Sequence, residues 1–234
     1  MKLFYTPNID ECNELPEDEA AHCLRVLRLQ TGDDLDLTDG NGHFYKAVIT
    51  AATNKRCQVK ITEKVEQEPL WTGHLHLAMA PTKNMDRTEW FAEKATEIGF
   101  DELTFLNCRF SERKVIKTDR IEKIVVSAMK QSLKARKPIV NEMTDFKRFV
   151  TTDFGDACKF IAHCYKEEDR IELKNVLEAG KNTIVLIGPE GDFSPEEVEL
   201  ALQNGFRPIT LGKSRLRTET AALVSVHLMN LANS

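Results

Sequence analysis

The 234-residue chain has no run of eighteen apolar residues, which excludes a helical membrane span. It has no internal repeat and no low-complexity tract. Its six cysteines (12, 23, 57, 108, 158 and 164) form no C-x-x-C pair. Thiols scattered in this way are expected as small buried hydrophobes in a reducing cytosol, not as disulfides or metal ligands. The six histidines show no metal spacing either. His74 and His76 share one strand face, where a structural role is expected, so no metal is expected. The opening stretch MKLFYTPNIDE meets proline and acid too early for a signal peptide, which points to a cytoplasmic location.

Net positive charge is also missing, since the chain carries −5. That average hides a split. Residues 1–70 hold 8 basic and 13 acidic side chains, and so supply the whole deficit. Within the balanced remainder, residues 109–137 carry ten basic side chains against Glu112, Asp119 and Glu122. Such a run is either a solvated face or a surface for a polyanion, because the local field and not the net charge attracts phosphates.

What is present reads as two textures. Candidate strands at Lys2–Thr6, Asp33–Thr38, His43–Ala51 and Arg56–Val65, with a helix over Glu17–Leu29, make a β-rich module. The turn Asp39-Gly-Asn-Gly punctuates it, and the charged stretch from Glu63 to Pro69 is the expected linker. Beyond Trp71, strands alternate with helices. Strands are predicted at His74–Ala80, Leu103–Asn107, Lys159–Cys164, Thr183–Ile187 and Pro208–Leu211. Helices are predicted at Asp86–Ile98, Asp119–Leu133 and Thr218–Leu231. This alternation implies a mostly parallel sheet covered on both faces, with ligands beyond the carboxyl ends of its strands.

Two loops stand out. In LIGPEGDFSPEEV an apolar strand stops at Gly188, and a helix is announced by Ser194 as N-cap, Pro195 in the first turn and Glu197 completing a capping box. Gly188 and Gly191 are expected to supply positive φ and close backbone approach. The loop fits neither phosphate-binding glycine motif. Glu190, Asp192, Glu196 and Glu197 suit a helix N-terminus and would repel phosphate, so a neutral or cationic ligand such as S-adenosylmethionine fits better. The second loop, TLGKSRLRTETAA, again ends a strand at glycine and opens a largely apolar helix. It places Arg215 and Arg217 beside Glu219, an arrangement that a simple ion pair would also explain.

The two loops together, LIGPEGDFSPEEVE and then LGKSRLRTETAA, resemble the RsmE family of the SPOUT superfamily, which methylates N3 of a uridine in bacterial small-subunit (16S) ribosomal RNA. The resemblance covers the chain. His22, Arg25, Arg28 and the Gly32-Asp33 pair resemble the family's N-terminal PUA-like domain, and KATEIG (94–99) with Gln131-Ser132 before Pro138 resembles its central segments. It implies an α/β fold. A β-rich PUA-like RNA-binding domain over residues 1–70 would precede a SPOUT methyltransferase domain over 71–234. In the second domain a mostly parallel sheet is tied in a trefoil knot. The cofactor, S-adenosylmethionine, would bind bent among the knot loops, with active sites at a homodimer interface.

Carried over, the resemblance marks Leu186, Gly188, Pro189, Glu190 and Gly191 in the first loop as cofactor-binding, and Leu211, Gly212, Leu216, Thr220 and Ala221 in the second. His163 and Cys164, with the loop after them, would form a third wall. Arg217 is the candidate for stabilising charge on the uracil oxygens. Glu219 is either a general base or the residue that orients Arg217. His22, Arg25, Arg28, Arg113, Lys114, Lys117, Gln131, Ser132 and Lys134 are the expected RNA contacts, on 16S rRNA in the assembled small subunit. The pattern departs from the family at Asp192, where a second glycine is usual. It departs again at Ser214-Arg215, where Arg-Ile is usual, and at Lys134, where Arg is usual. A non-catalytic RNA-binding protein, or a SPOUT methyltransferase acting on another RNA, stays open as an alternative.

Overall fold

A computed structural model describes residues 2–53, 55–165 and 169–234. The chain forms two compact units, one of Met1–Pro69 with Val126–Lys137 and the other of Leu70–Val125 with Pro138–Ser234.

The first unit is a four-stranded sheet in the order β1 (Leu3–Tyr5), β2 (Asp34–Thr38), β3 (His43–Ala52) and β4 (Cys57–Glu66). β1 runs parallel to β2, and the other pairs are antiparallel. Alternate residues point inward, so Leu35, Leu37, Tyr45, Ala47, Ile49, Cys57 and Val59 build one core with Phe4, Ile9 and Cys23. The β2–β3 turn is fixed by Asp39. Its buried carboxylate accepts from the Asn41 and His43 amides and from His43 Nδ1 at 2.7, 3.1 and 2.8 Å.

Two local expectations change here. The helix expected over Glu17–Leu29 is regular only in α1 (Glu17–Ala21). It then widens into a π-helical turn, His22–Val26, and Arg28 takes a left-handed φ of 56°. The stretch expected as linker from Glu63 is strand as far as Glu66. Lys46 and Glu63 are opposed across the β3–β4 pair with an ion pair of 2.6 Å, so charge marks a solvated strand face there.

The second unit holds a seven-stranded sheet with every pair parallel. Its order is β7 (Ile139–Asp145), β6 (Glu102–Asn107), β5 (Leu75–Met79), β10 (Thr183–Ile187), β8 (Cys158–Ala162), β11 (Arg207–Thr210) and β9 (Ile171–Glu172). β5 and β10 are buried at every residue, as central parallel strands covered on both faces must be. One face carries Leu75, Leu77, Met79, Val185 and Ile187 against α2 (Met85–Ile98), α3 (Thr118–Gln131) and α6 (Thr218–Asn233). The other carries Ala78, Ile161, Ile184 and Leu186 against α4 (Phe146–Val150) and α5 (Pro195–Gln203). Among the described residues no helix is long and apolar enough to cross a membrane. No group of three or more His, Cys, Asp or Glu could hold a metal among them. All six cysteines are free, and Cys12 and Cys164 are exposed where burial was expected.

Candidate functional site

Parallel register brings the two glycine loops to one edge. Ile187 pairs with both Met79 and Ala162, and Ile209 pairs with Ala162, so β5, β8, β10 and β11 end level with one another. The loops that follow them carry Lys83, His163 with Cys164, Gly188–Gly191 and Leu211–Arg217. A ligand crossing the carboxyl edge of such a sheet meets main chain from several loops at once.

The first loop is built as its residue types demand. Ser194 Oγ accepts from the Glu197 amide at 3.3 Å while Glu197 Oε2 accepts from the Ser194 amide at 2.8 Å, with Pro195 in the first turn of α5. The glycines serve packing and not the left-handed region. A Cβ on Gly188 would stand 3.1 Å from the Phe193 ring, and one on Gly191 would stand 3.2 Å from Phe110 Cβ. Neither has positive φ. The left-handed residue is Asp192, at 68°, a conformation that aspartate tolerates better than most side chains.

The loop's acids are braces. Glu190 Oε1 accepts from the Lys83 amide at 2.9 Å. Asp192 accepts from the Cys164 and Phe193 amides, each at 2.8 Å. Glu197 Oε1 accepts from the Arg109 amide at 2.8 Å. Together these carboxylates tie the ends of β5, β6 and β8 to the end of β10. They also keep negative side chains at this edge, which disfavours phosphate. In the second loop Gly212 has φ 123° and nothing within 4 Å of where its Cβ would stand, so its main chain faces open space. Leu211, Leu216, Thr220 and Ala221 are half-buried around it, whereas Leu186 is sealed in the core and His163 and Pro189 are buried. Of the third wall, residues 166–168 lie outside the described residues.

Arg217 is exposed and stands at the N-cap of α6 without a capping side-chain bond. The ion pair with Glu219 that would also explain the spacing does not form. Glu219 is buried in the first turn of α6, with its Oε1 3.8 Å from Arg87 Nε and its Oε2 lacking a hydrogen bond. Arg217 therefore presents a guanidinium with no ion-pair partner among the described residues. Arg87, on α2, is the neighbour that sequence spacing did not find, because 132 positions separate it from Glu219.

The expected RNA residues divide. Arg113 donates to the Thr82 and Lys83 carbonyls at 3.3 and 2.7 Å, and Lys114 Nζ to the Cys108 carbonyl at 2.9 Å. These two cations brace loops. Lys117 is exposed and makes no side-chain bond among the described residues. In the other unit His22, Arg25 and Arg28 lie in or just after the π-helical turn, Gln131 ends α3, and Ser132 and Lys134 follow it, with Lys134 buried.

Known proteins agree with this construction. Residues 66–230 match the RNA methyltransferase domain family, and residues 15–62 match the RNA methyltransferase PUA domain. A crystal structure of a probable rRNA-methyltransferase from Porphyromonas gingivalis is 44% identical, covers 100% of this chain and 98% of that one, and superposes with a TM-score of 0.94. A methyltransferase of Legionella pneumophila, solved with bound SAM, is 27% identical over 98% of this chain and 97% of that one, with a TM-score of 0.87. Ribosomal RNA small subunit methyltransferase E of Mesomycoplasma hyopneumoniae is 32% identical, covering 77% of this chain and 78% of its own. A PUA domain, a parallel-sheet RNA methyltransferase domain and likeness over nearly the full length converge on one assignment: the chain belongs to the RNA methyltransferase family, among the ribosomal RNA small subunit methyltransferases E.

Proposed function

We propose that the protein methylates N3 of a uridine in 16S ribosomal RNA from S-adenosylmethionine, acting on the assembled small subunit as a cytoplasmic homodimer. The observation that carries this reading is the level ending of β8, β10 and β11, which puts His163-Cys164, Gly188–Gly191 and Leu211–Ala221 on one edge with Arg217, which has no ion-pair partner among the described residues. The residues suit the cofactor: open main chain at Gly212, and acids at 190 and 192 where a phosphate ligand would need cations. Bound S-adenosylmethionine supplies an electrophilic methyl carbon on a sulfonium.

The chain's own groups have three tasks. The uridine must be held out of its stack with N3 in line with the methyl–sulfur bond. The N3 proton must leave. Negative charge spreading onto the uracil oxygens must be met by a cation, and Arg217, with no carboxylate partner among the described residues, is the candidate for that task. Glu219, buried and engaged toward Arg87, is the carboxylate within the same helix turn, and the general base stays open between it and another group. Residues 1–70 form the RNA-binding module, with His22, Arg25 and Arg28 on its turn, and those cations of 109–137 that make no side-chain bond among the described residues, such as Lys117, follow phosphates. The exposed Trp90 on α2 and Leu231 on α6 support a dimer through these helices. A trefoil knot formed by the loops after β10 and β11 belongs to the same reading.

Calorimetric titration with S-adenosylmethionine and with ATP tests the cofactor assignment. Saturable binding of the first and none of the second is expected. The reverse preference would make the site a nucleotide-phosphate site.

A further inference from the structure

Asp192 stands where the resemblance leads one to expect a second glycine, and its side chain is fully engaged. Its backbone is left-handed at φ 68°, the conformation glycine would supply, and its amide closes the turn on the Pro189 carbonyl at 2.9 Å. Its two carboxylate oxygens then do what glycine cannot. Oδ1 accepts from the Phe193 amide, and Oδ2 reaches across to the Cys164 amide, each at 2.8 Å. A second tie, from the Tyr165 hydroxyl to the Phe193 carbonyl at 2.7 Å, joins the same two loops. Bonds from an amide to a carboxylate are stronger than those between neutral groups, so the larger share of the clamp falls to Asp192.

We propose that Asp192 is a positioning residue for the cofactor: its carboxylate holds the turn after β8, at Cys164, against the turn after β10, and so fixes the spacing of two cofactor loops. This rests on the reading that those loops hold S-adenosylmethionine. The clamp has its own signature, independent of the cofactor. Cys164 is exposed at the surface, yet the protein around its sulfur removes part of its water; that desolvation first, then the nearby Asp192 carboxylate, raises its thiol above the ordinary value. Removing the carboxylate frees the turn and lowers that barrier to thiolate formation.

Two variants separate positioning from folding. Asp192→Gly keeps the backbone conformation and removes both acceptors. Asp192→Asn keeps one acceptor for Phe193 but turns an N–H toward the Cys164 amide. For Asp192→Gly, calorimetry is expected to show S-adenosylmethionine affinity weakened by about tenfold or more, the scale of one lost charge-assisted bond. KM for the cofactor should rise, while kcat at saturating cofactor and affinity for RNA stay near wild type. Alkylation of Cys164 by iodoacetamide, read by peptide mass spectrometry at fixed pH, should accelerate in both variants, with Asp192→Asn intermediate in affinity. Unchanged cofactor affinity in both variants, with the wild type binding normally, overturns the proposal. So does unchanged alkylation of Cys164, or a loss of affinity that only follows a fall in the unfolding midpoint. Failure of the wild type itself to bind S-adenosylmethionine overturns the underlying site along with it.

Discussion

Arg217 is an arginine at a helix start, where the dipole repels it. Such a placement calls for a compensating carboxylate, and the one two residues on is turned toward Arg87. A cation with no ion-pair partner among the described residues is available to a ligand. Arg217→Ala and Arg217→Lys are expected to fold and to keep most of their cofactor affinity. Single-turnover methylation should fall by roughly 10²-fold or more for Ala, the scale of losing one transition-state donor. It should fall partly for Lys, which keeps charge but not the planar fork. Near-normal turnover by the Ala variant would leave Arg217 outside the chemistry. A second cluster shapes stability instead. Glu102 accepts from His74 at 2.8 Å and from Asn141 at 2.6 Å. The His74 bond holds its carboxyl at about 2, and burial pushes His76 down to about 4. A depressed carboxyl stabilises above its ordinary 4.5, and that contribution is lost as pH falls toward 2. A histidine buried neutral costs stability as pH falls from 6.5 toward 4, because only the unfolded chain takes up its proton freely. His74, raised by Glu102, works the other way and loses its contribution as pH rises through its folded value. The urea midpoint should therefore decline from pH 6.5 to 4 and further below 4.5. Glu102→Gln should flatten the lower limb, and an unchanged limb would assign acid sensitivity elsewhere.

At the scale of elements, legibility followed the strength of the local pattern. Thr183–Ile187 is an uninterrupted β-branched and leucine run, and the Ser194–Glu197 capping box names its own helix start; both stand where the sequence puts them. β7 went unread because Ile139–Asp145 mixes buried and exposed positions at a sheet edge, and α4 is five residues long. The π-helical turn at His22–Val26 escaped for a different reason. Its residues keep helical spacing, and only the structure shows the wider turn, with Cys23 buried in the core of the first unit. Glu190 and Asp192 could be read as charges but not as braces, since their amide partners come from residues 83 and 164. The basic stretch teaches the same lesson. Arg120 pairs with Glu89 at 2.7 Å, Lys130 with Glu19, and Arg113 and Lys114 hold loop carbonyls. Arg109, Lys117 and Lys123 make no side-chain bond or ion pair among the described residues. Reversing these three to Glu should weaken RNA binding and reduce the log–log salt slope by about 0.7 per lost contact on single-stranded RNA. Cofactor affinity should stay intact. An unchanged slope would make the stretch a solvated face.

For the whole molecule, charge and fold divide the labour. The acidic first unit also contains Val126–Lys137, and with it Lys130, Lys134, Arg136 and Lys137, so the cations missing from residues 1–70 are supplied by a segment far along the chain. No composition window could show this, because it depends on where α3 ends in space. The second unit supplies the parallel sheet whose carboxyl edge gathers the loops proposed to hold the cofactor. The central claim joins the two: an RNA-binding unit and a methyl-transferring edge acting on one uridine. Small ribosomal subunits from a strain lacking this protein, incubated with the purified chain and S-adenosylmethionine bearing a labelled methyl group, test it most directly when the digested 16S rRNA is read by nucleoside mass spectrometry. The predicted result is label in 3-methyluridine at a single position, appearing roughly 10²-fold more slowly with the Arg217→Ala variant. Label in any other nucleoside, or none in the presence of bound cofactor, would contradict the account.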